Sequence, residues 1–121
     1  MAERGRLLEQ LDDAPLNARV FIASGPRYRD ARWTASVLAL LAPYKLGSAG
    51  LYGADLMGAA WAHGVDRDVW TYTGSATPGP SRDAKMLRAF GAELLVAFPG
   101  CRVGLINTAL KLGINVLRVK P

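Results

Sequence analysis

The stretch Glu93-Leu-Leu-Val-Ala-Phe-Pro-Gly-Cys-Arg-Val-Gly104 constrains the fold of this chain more than any other. Its apolar run breaks off at Pro99-Gly100, and Gly104 follows before a helical pattern begins. In α/β proteins a buried strand delivers backbone amides to an anionic ligand in this way. Glycines allow close approach, and the next helix offers N–H groups and the positive end of its dipole.

The rest of the chain alternates in the same manner. Arg19–Ser24 is predicted as a buried strand and residues 25–29 as a loop. Asp30 caps a helix to about Leu41, with Trp33, Val37, Leu40 and Leu41 on one face and Pro43 ending it. A second strand is due at Tyr44–Ser48, where the residues are poor strand formers. Ala54–His63 is predicted as a helix with Leu56, Met57, Ala60 and Trp61 inward and Gly64 as its cap. Asp68–Thr73 alternates as a strand, and 74–80 is a loop. Ser81 caps a helix to about Phe90 that carries Met86, Leu87 and Phe90. Leu94–Phe98 is a strand, Leu105–Leu112 a helix ended by Gly113, and Asn115–Val119 the last strand. Trp33, Trp61 and Trp70 are expected in the core. This order predicts an α/β fold: a mostly parallel sheet of about five strands with helices on both faces.

Residues 1–18 read as an N-terminal helical extension, with Leu7, Leu8 and Leu11 at helical spacing before Pro15. Residues 19–121 read as a single domain, which the length of 121 residues suits. The chain has no apolar run of the roughly eighteen residues that a membrane helix needs, and its first residues lack a secretory pattern. A cytoplasmic protein without a membrane is therefore expected. One cysteine and one histidine, His63, leave no basis for a disulfide or a multidentate metal site, and no cofactor is expected. The net charge of +5, mostly from arginine, favours an anionic partner suited to bidentate recognition.

In open parallel sheets ligands bind beyond the carboxyl ends of the strands. The loops there are 24–30, 48–55, 74–83 and 99–105, rich in Gly and Pro and repeatedly bearing arginine. They suit a phosphate or pyrophosphate. The candidate ligand-binding residues are Ser24, Gly25, Arg27, Gly50, Gly53, Asp55, Arg82, Pro99, Gly100, Cys101, Arg102 and Gly104. Asp55 opens a helix, where it complements the dipole, holds a ribose hydroxyl or acts as a base. Arg82 is a cation at a helix start, a misfit that points to an anion. Cys101 is read as a small loop residue and His63 as a cap or surface residue. Lys85, Asn107 and Thr108 are secondary candidates.

Four segments resemble the SLOG superfamily, in its YspA/YpsA-related, often phage-encoded branch. Ser24-Gly-Pro-Arg-Tyr-Arg-Asp30 is similar to its Gly-Ser-Arg-x-Tyr-x-Asp opening. Ser48-Ala-Gly-Leu-Tyr-Gly-Ala-Asp55 with Trp61-Ala62 resembles its Gly-Gly-Ala-x-Gly-Ala-Asp…Trp-Ala segment. Gly79-Pro-Ser-Arg-Asp-Ala-Lys-Met-Leu87 resembles Ala-Gly-x-x-Arg-Asn-x-x-Met, and Val96-Ala-Phe-Pro-Gly100 resembles the Phe-Pro-Gly-Gly loop. The resemblance spans about residues 20–119 and implies a Rossmann-like three-layer fold that binds nucleotides, ADP-ribose-like signals or nucleotide sugars. Its LOG members are phosphoribohydrolases whose Pro-Gly-Gly-x-Gly-Thr-x-x-Glu motif supplies a glutamate. Here Cys101 replaces the second glycine, no acidic residue lies between Gly100 and Lys120, and Asp83 stands where asparagine is usual.

The leading expectation is a binder that senses or sequesters a nucleotide-derived small molecule. The alternatives are a LOG-type N-glycosidic or phosphate-bond hydrolase using Asp55 or Asp83, and single-stranded nucleic-acid binding in the DprA manner. Sheet edges and the N-terminal helix also suggest a homo-oligomer.

Overall fold

A computed structural model describes residues 18–73 and 79–120. Along the chain run strand β1 (Arg19–Ala23), helix α1 (Ala31–Leu41), β2 (Lys45–Ser48), α2 (Ala54–Gly64), β3 (Asp68–Thr71), α3 (Pro80–Phe90), β4 (Leu94–Ala97), α4 (Val103–Lys111) and β5 (Asn115–Arg118). The expected N-terminal helix and most of the 74–80 loop lie outside the described residues.

All five strands are parallel, in the order β3-β2-β1-β4-β5. Central β1 places Val20 beside both Leu46 and Leu94. Its side chains alternate between two cores. Val20 and Ile22 join residues of α1 and α2 on one face, and Phe21 joins residues of α3 and α4 on the other. The result is the three-layer, Rossmann-like arrangement, with two of the described helices on each face. The chain steps outward from β1 to β3, then returns through α3 to β4 beside β1. The C-terminal ends of β1 and β4 therefore flank the point where strand order reverses, which is where open parallel sheets take ligands.

Local chemistry explains most element boundaries. Asp30 caps α1 by accepting the Trp33 N–H at 2.9 Å, as its position implies. Helix α3 starts earlier than expected: Gly79 is its N-cap and Pro80 its first residue, so Ser81 lies inside the first turn. Proline suits that position because its missing N–H would have no helical partner there. Helix α4 begins at Val103, which puts Gly104 in its first turn. Helix α2 runs through Gly64, and Val65 serves as its C-cap. Strands β1, β3, β4 and β5 stop one or two residues short of their predicted ends, while β2 ends at Ser48 as expected and starts one residue later, at Lys45.

Three inward assignments are corrected. Leu40 is 49% exposed and Leu56 58% exposed, and Ala60 also faces outward. On α2 the buried residues are Ala54, Asp55, Gly58 and Ala62. A side chain at Gly58 would run into Ile22 Cδ1, so this helix lies close on the sheet through small residues and leaves Leu56 outside. Trp33 is buried, while Trp61 and Trp70 are half-buried against the two cores. Among the described residues no helix is long and apolar enough to cross a membrane.

Candidate functional site

Three loops meet at the carboxyl end of β1 through glycine. The Ser24 hydroxyl donates to the Gly25 carbonyl and accepts the Ala54 N–H, both at 2.9 Å. It thereby caps α2, whose own N-cap, Gly53, has no side chain. Gly53 has φ +56°, and a Cβ there would strike Ser24 Oγ. The Gly25 N–H donates to the Pro99 carbonyl at 2.9 Å, and a Cβ on Gly25 would lie 2.9 Å from Gly100 Cα. Pro99 and Gly100 (φ +84°) form a turn closed by the Cys101 N–H on the Phe98 carbonyl at 3.1 Å. Proline followed by a positive-φ glycine is the type II signature. The amides of Gly25 and Cys101, expected to face a ligand, are thus satisfied internally.

The candidate residues divide between clefts. One, narrow, has Phe21, Ala23, Met86 and Leu105 as its apolar lining and Ser24, Asp55, Arg82 and Arg102 as its polar groups, with Leu51 and Tyr52 beside them. A second, wider one is lined by residues 25–30 with Pro99 and Gly100. Exposed Arg27 belongs to this second cleft, so the fold does not bring it together with Arg82 and Arg102. A trough lined by Tyr28, Arg29, Tyr52, Gly53, Leu56 and Met57 adjoins both.

Electrostatics concentrate in the narrow cleft. Asp55 is 5% exposed, and its Oδ2 accepts the Leu51 N–H at 3.1 Å. Burial pushes its pKa up to about 6, against the opposing pull of the loop amides of Leu51, Tyr52 and Gly50 and of the Arg82 charge. The Arg82 guanidinium lies 5.6 Å from the Tyr72 ring centroid and 3.9 Å from Asp83 Oδ1. Buried Asp83 is held much more closely by Arg102, whose Nη2 donates to Oδ1 at 2.7 Å. Two guanidiniums thus share one carboxylate at the starts of α3 and α4, and neither helix has a side-chain cap there.

The remaining candidates have quieter settings. The Gly50 N–H donates to Ser48 Oγ at 3.1 Å and shapes the turn before α2. Cys101 is half-buried against the α3–α4 core, and burial pushes its thiol up to about 11, away from the reactive thiolate. Gly104 is exposed beside Arg102, and Thr108 Oγ1 donates to the Gly104 carbonyl at 2.9 Å. His63, Lys85 and Asn107 are exposed. Among the described residues no three His, Cys, Asp or Glu side chains gather to hold a metal ion.

Sequence reasoning missed the Asp83–Arg102 pair, because nothing local links positions 83 and 102. It also missed the Tyr72 ring under Arg82, although the period-2 pattern puts Trp70 and Tyr72 on one face. No family model matches the chain, and no curated protein or solved structure matches it.

Proposed function

We propose that this chain binds a nucleotide-derived small molecule, such as an ADP-ribose-like compound, through a phosphate in the narrow cleft, and so senses or sequesters it. The observation that carries this reading is the convergence of Arg82 and Arg102, from the starts of α3 and α4, on one cleft, with the buried Asp83 carboxylate between them and Asp55 in its lining. Two guanidinium forks reaching one cleft from different helices match the oxygens of a phosphate. The reversal of strand order between β1 and β4 supports the same location. The resemblance to the SLOG superfamily remains part of this proposal.

A thermal-shift panel of AMP, ADP, ADP-ribose, NAD, cyclic dinucleotides and a short single-stranded DNA at low salt tests it. A ligand present at about a hundred times its Kd stabilises by roughly 2.7 kcal/mol. The shift is expected to vanish in Arg82→Ala and Arg102→Ala. Retention of the shift in both variants, or no shift with any nucleotide, would sink the proposal.

One observation favours a second reading as an N-glycosidic hydrolase. Asp55 lines the same cleft, and its carboxyl titrates near 6, in the range useful to a general acid or base. Base release from the panel compounds, abolished in Asp55→Asn, is the result this reading requires.

A further inference from the structure

We infer that Tyr52, with Leu56 and Met57 of the first turn of α2, forms a platform for the flat base of the nucleotide whose phosphate enters the Arg82–Arg102 cleft; this rests on the phosphate reading above. The cleft is narrow, and its apolar lining of Phe21, Met86 and Leu105 leaves no space for a ring system beside an anionic group. A base must therefore lie outside it. Tyr52 lines both this cleft and the neighbouring trough. Asp55 lines the cleft while Leu56 and Met57 line the trough, so the two sites are neighbours on a single helical turn, whose pitch is about 5.4 Å. The wider cleft around Arg27 shares no lining residue with the anion cleft, and the chain crosses from one to the other between Ser24 and Gly25.

The surface chemistry agrees with this path. Leu51 and Leu56 are 55% and 58% exposed, large apolar side chains left to water beside a charged site. Covering them with a heterocycle removes apolar surface from water, and a tyrosine ring stacks on any base because every base has a π-face. Two polar side chains of the trough turn toward their own loop. Arg29 donates to the carbonyls of Pro26 and Tyr28, and the Tyr28 hydroxyl donates to the Asp30 carbonyl. The platform, made of one aromatic ring and two apolar side chains, reads the presence of a base and not its identity. The ligand class is a nucleoside phosphate of any base, distinguished from a bare sugar phosphate.

Calorimetric titration of the full chain with AMP, GMP and ribose 5-phosphate at low salt tests the inference. AMP and GMP should bind with similar affinity, each at least about tenfold tighter than ribose 5-phosphate. Tyr52→Ala should erase that advantage, and Met57→Ala, at a position that lines the trough and not the cleft, should reduce it without weakening ribose 5-phosphate. Tyr52→Phe should retain it, and Leu56→Ser, at an exposed position, should reduce it. If ribose 5-phosphate binds as tightly as AMP and Arg102→Ala weakens both, the phosphate cleft stands and the platform falls. If Arg27→Ala removes the AMP advantage and Tyr52→Ala does not, the base lies in the wider cleft and the inference is overturned. If none of the three compounds binds, the phosphate reading itself fails and takes the platform with it.

Discussion

At the scale of single residues, Asp55 has the most to report. Its carboxyl is raised from 3.8 to about 6 chiefly by burial. Below about pH 3.8 folded and unfolded chains both hold the proton. Between that pH and about 6 the unfolded chain releases it first, so stability is lost as pH rises, and the loss is complete above the folded pKa. The full loss is roughly 3 kcal/mol. Asn at this position keeps an acceptor for the Leu51 N–H and never ionises. Urea unfolding at pH 4 and pH 7 should therefore show Asp55→Asn gaining on the parent by an amount of that order as pH rises. A difference independent of pH would show that Asp55 ionises in the fold as easily as in the unfolded chain. Cys101 is the opposite case: its raised pKa makes it a packing residue, in keeping with the small-loop reading of its sequence position.

At the scale of elements, glycine contacts set the loops. Gly100 has φ +84°, and a Cβ there would lie 2.8 Å from Gly25 Cα, so backbone would have to move. Gly100→Ala combines a left-handed conformation with overpacking and should cost roughly 2–4 kcal/mol in chemical unfolding. A near-neutral result would mean that the two loops do not touch in solution. Glycine also explains what the sequence made legible and what it did not. Strands β1 and β4 announce themselves as apolar runs because both their faces are buried. Strand β2, Lys45-Leu-Gly-Ser48, looks unlike a strand because Gly47 makes room for the Phe90 ring, 2.9 Å from where its Cβ would be. In α2 the buried face is made of small residues, so its large apolar residues mislead. The Asp30 cap was readable because it acts over three residues. The Asp83–Arg102 pair acts over nineteen positions and needed the fold to close it. For the same reason Arg27 and Arg82 looked alike in sequence and proved to line different clefts.

At the scale of the whole molecule, the carboxyl edge of the sheet carries a row of cations. Arg27, Arg29, Arg32, Arg82, Arg102, Arg118 and Lys120 sit at or beyond the carboxyl ends of the strands or in the first turns of helices that begin there. Among the described residues the carboxylates at this edge are Asp30, which caps α1, and Asp55 and Asp83, which are buried. Such an edge raises the local concentration of anions. The range of charges that the ligand engages then shows in salt. A mononucleotide held by two arginines should lose less than about tenfold in affinity between 50 and 200 mM salt, whereas a polynucleotide making six or more phosphate contacts would lose about a thousandfold or more. Titrations of AMP and of a short single-stranded DNA across that range separate the two. A steep dependence with tight DNA binding would shift the assignment from a small molecule to a nucleic acid.

The contact between Gly25 and Gly100 divides this edge into a part that is able to change over evolution and a part that is not. Lengthening or decorating either loop displaces the other, and through Ser24 and Gly53 it also disturbs the start of α2. Segment 49–52 is not bound into that contact. New ligand preferences in descendants of this chain would accumulate there, around an invariant seam of bare backbone.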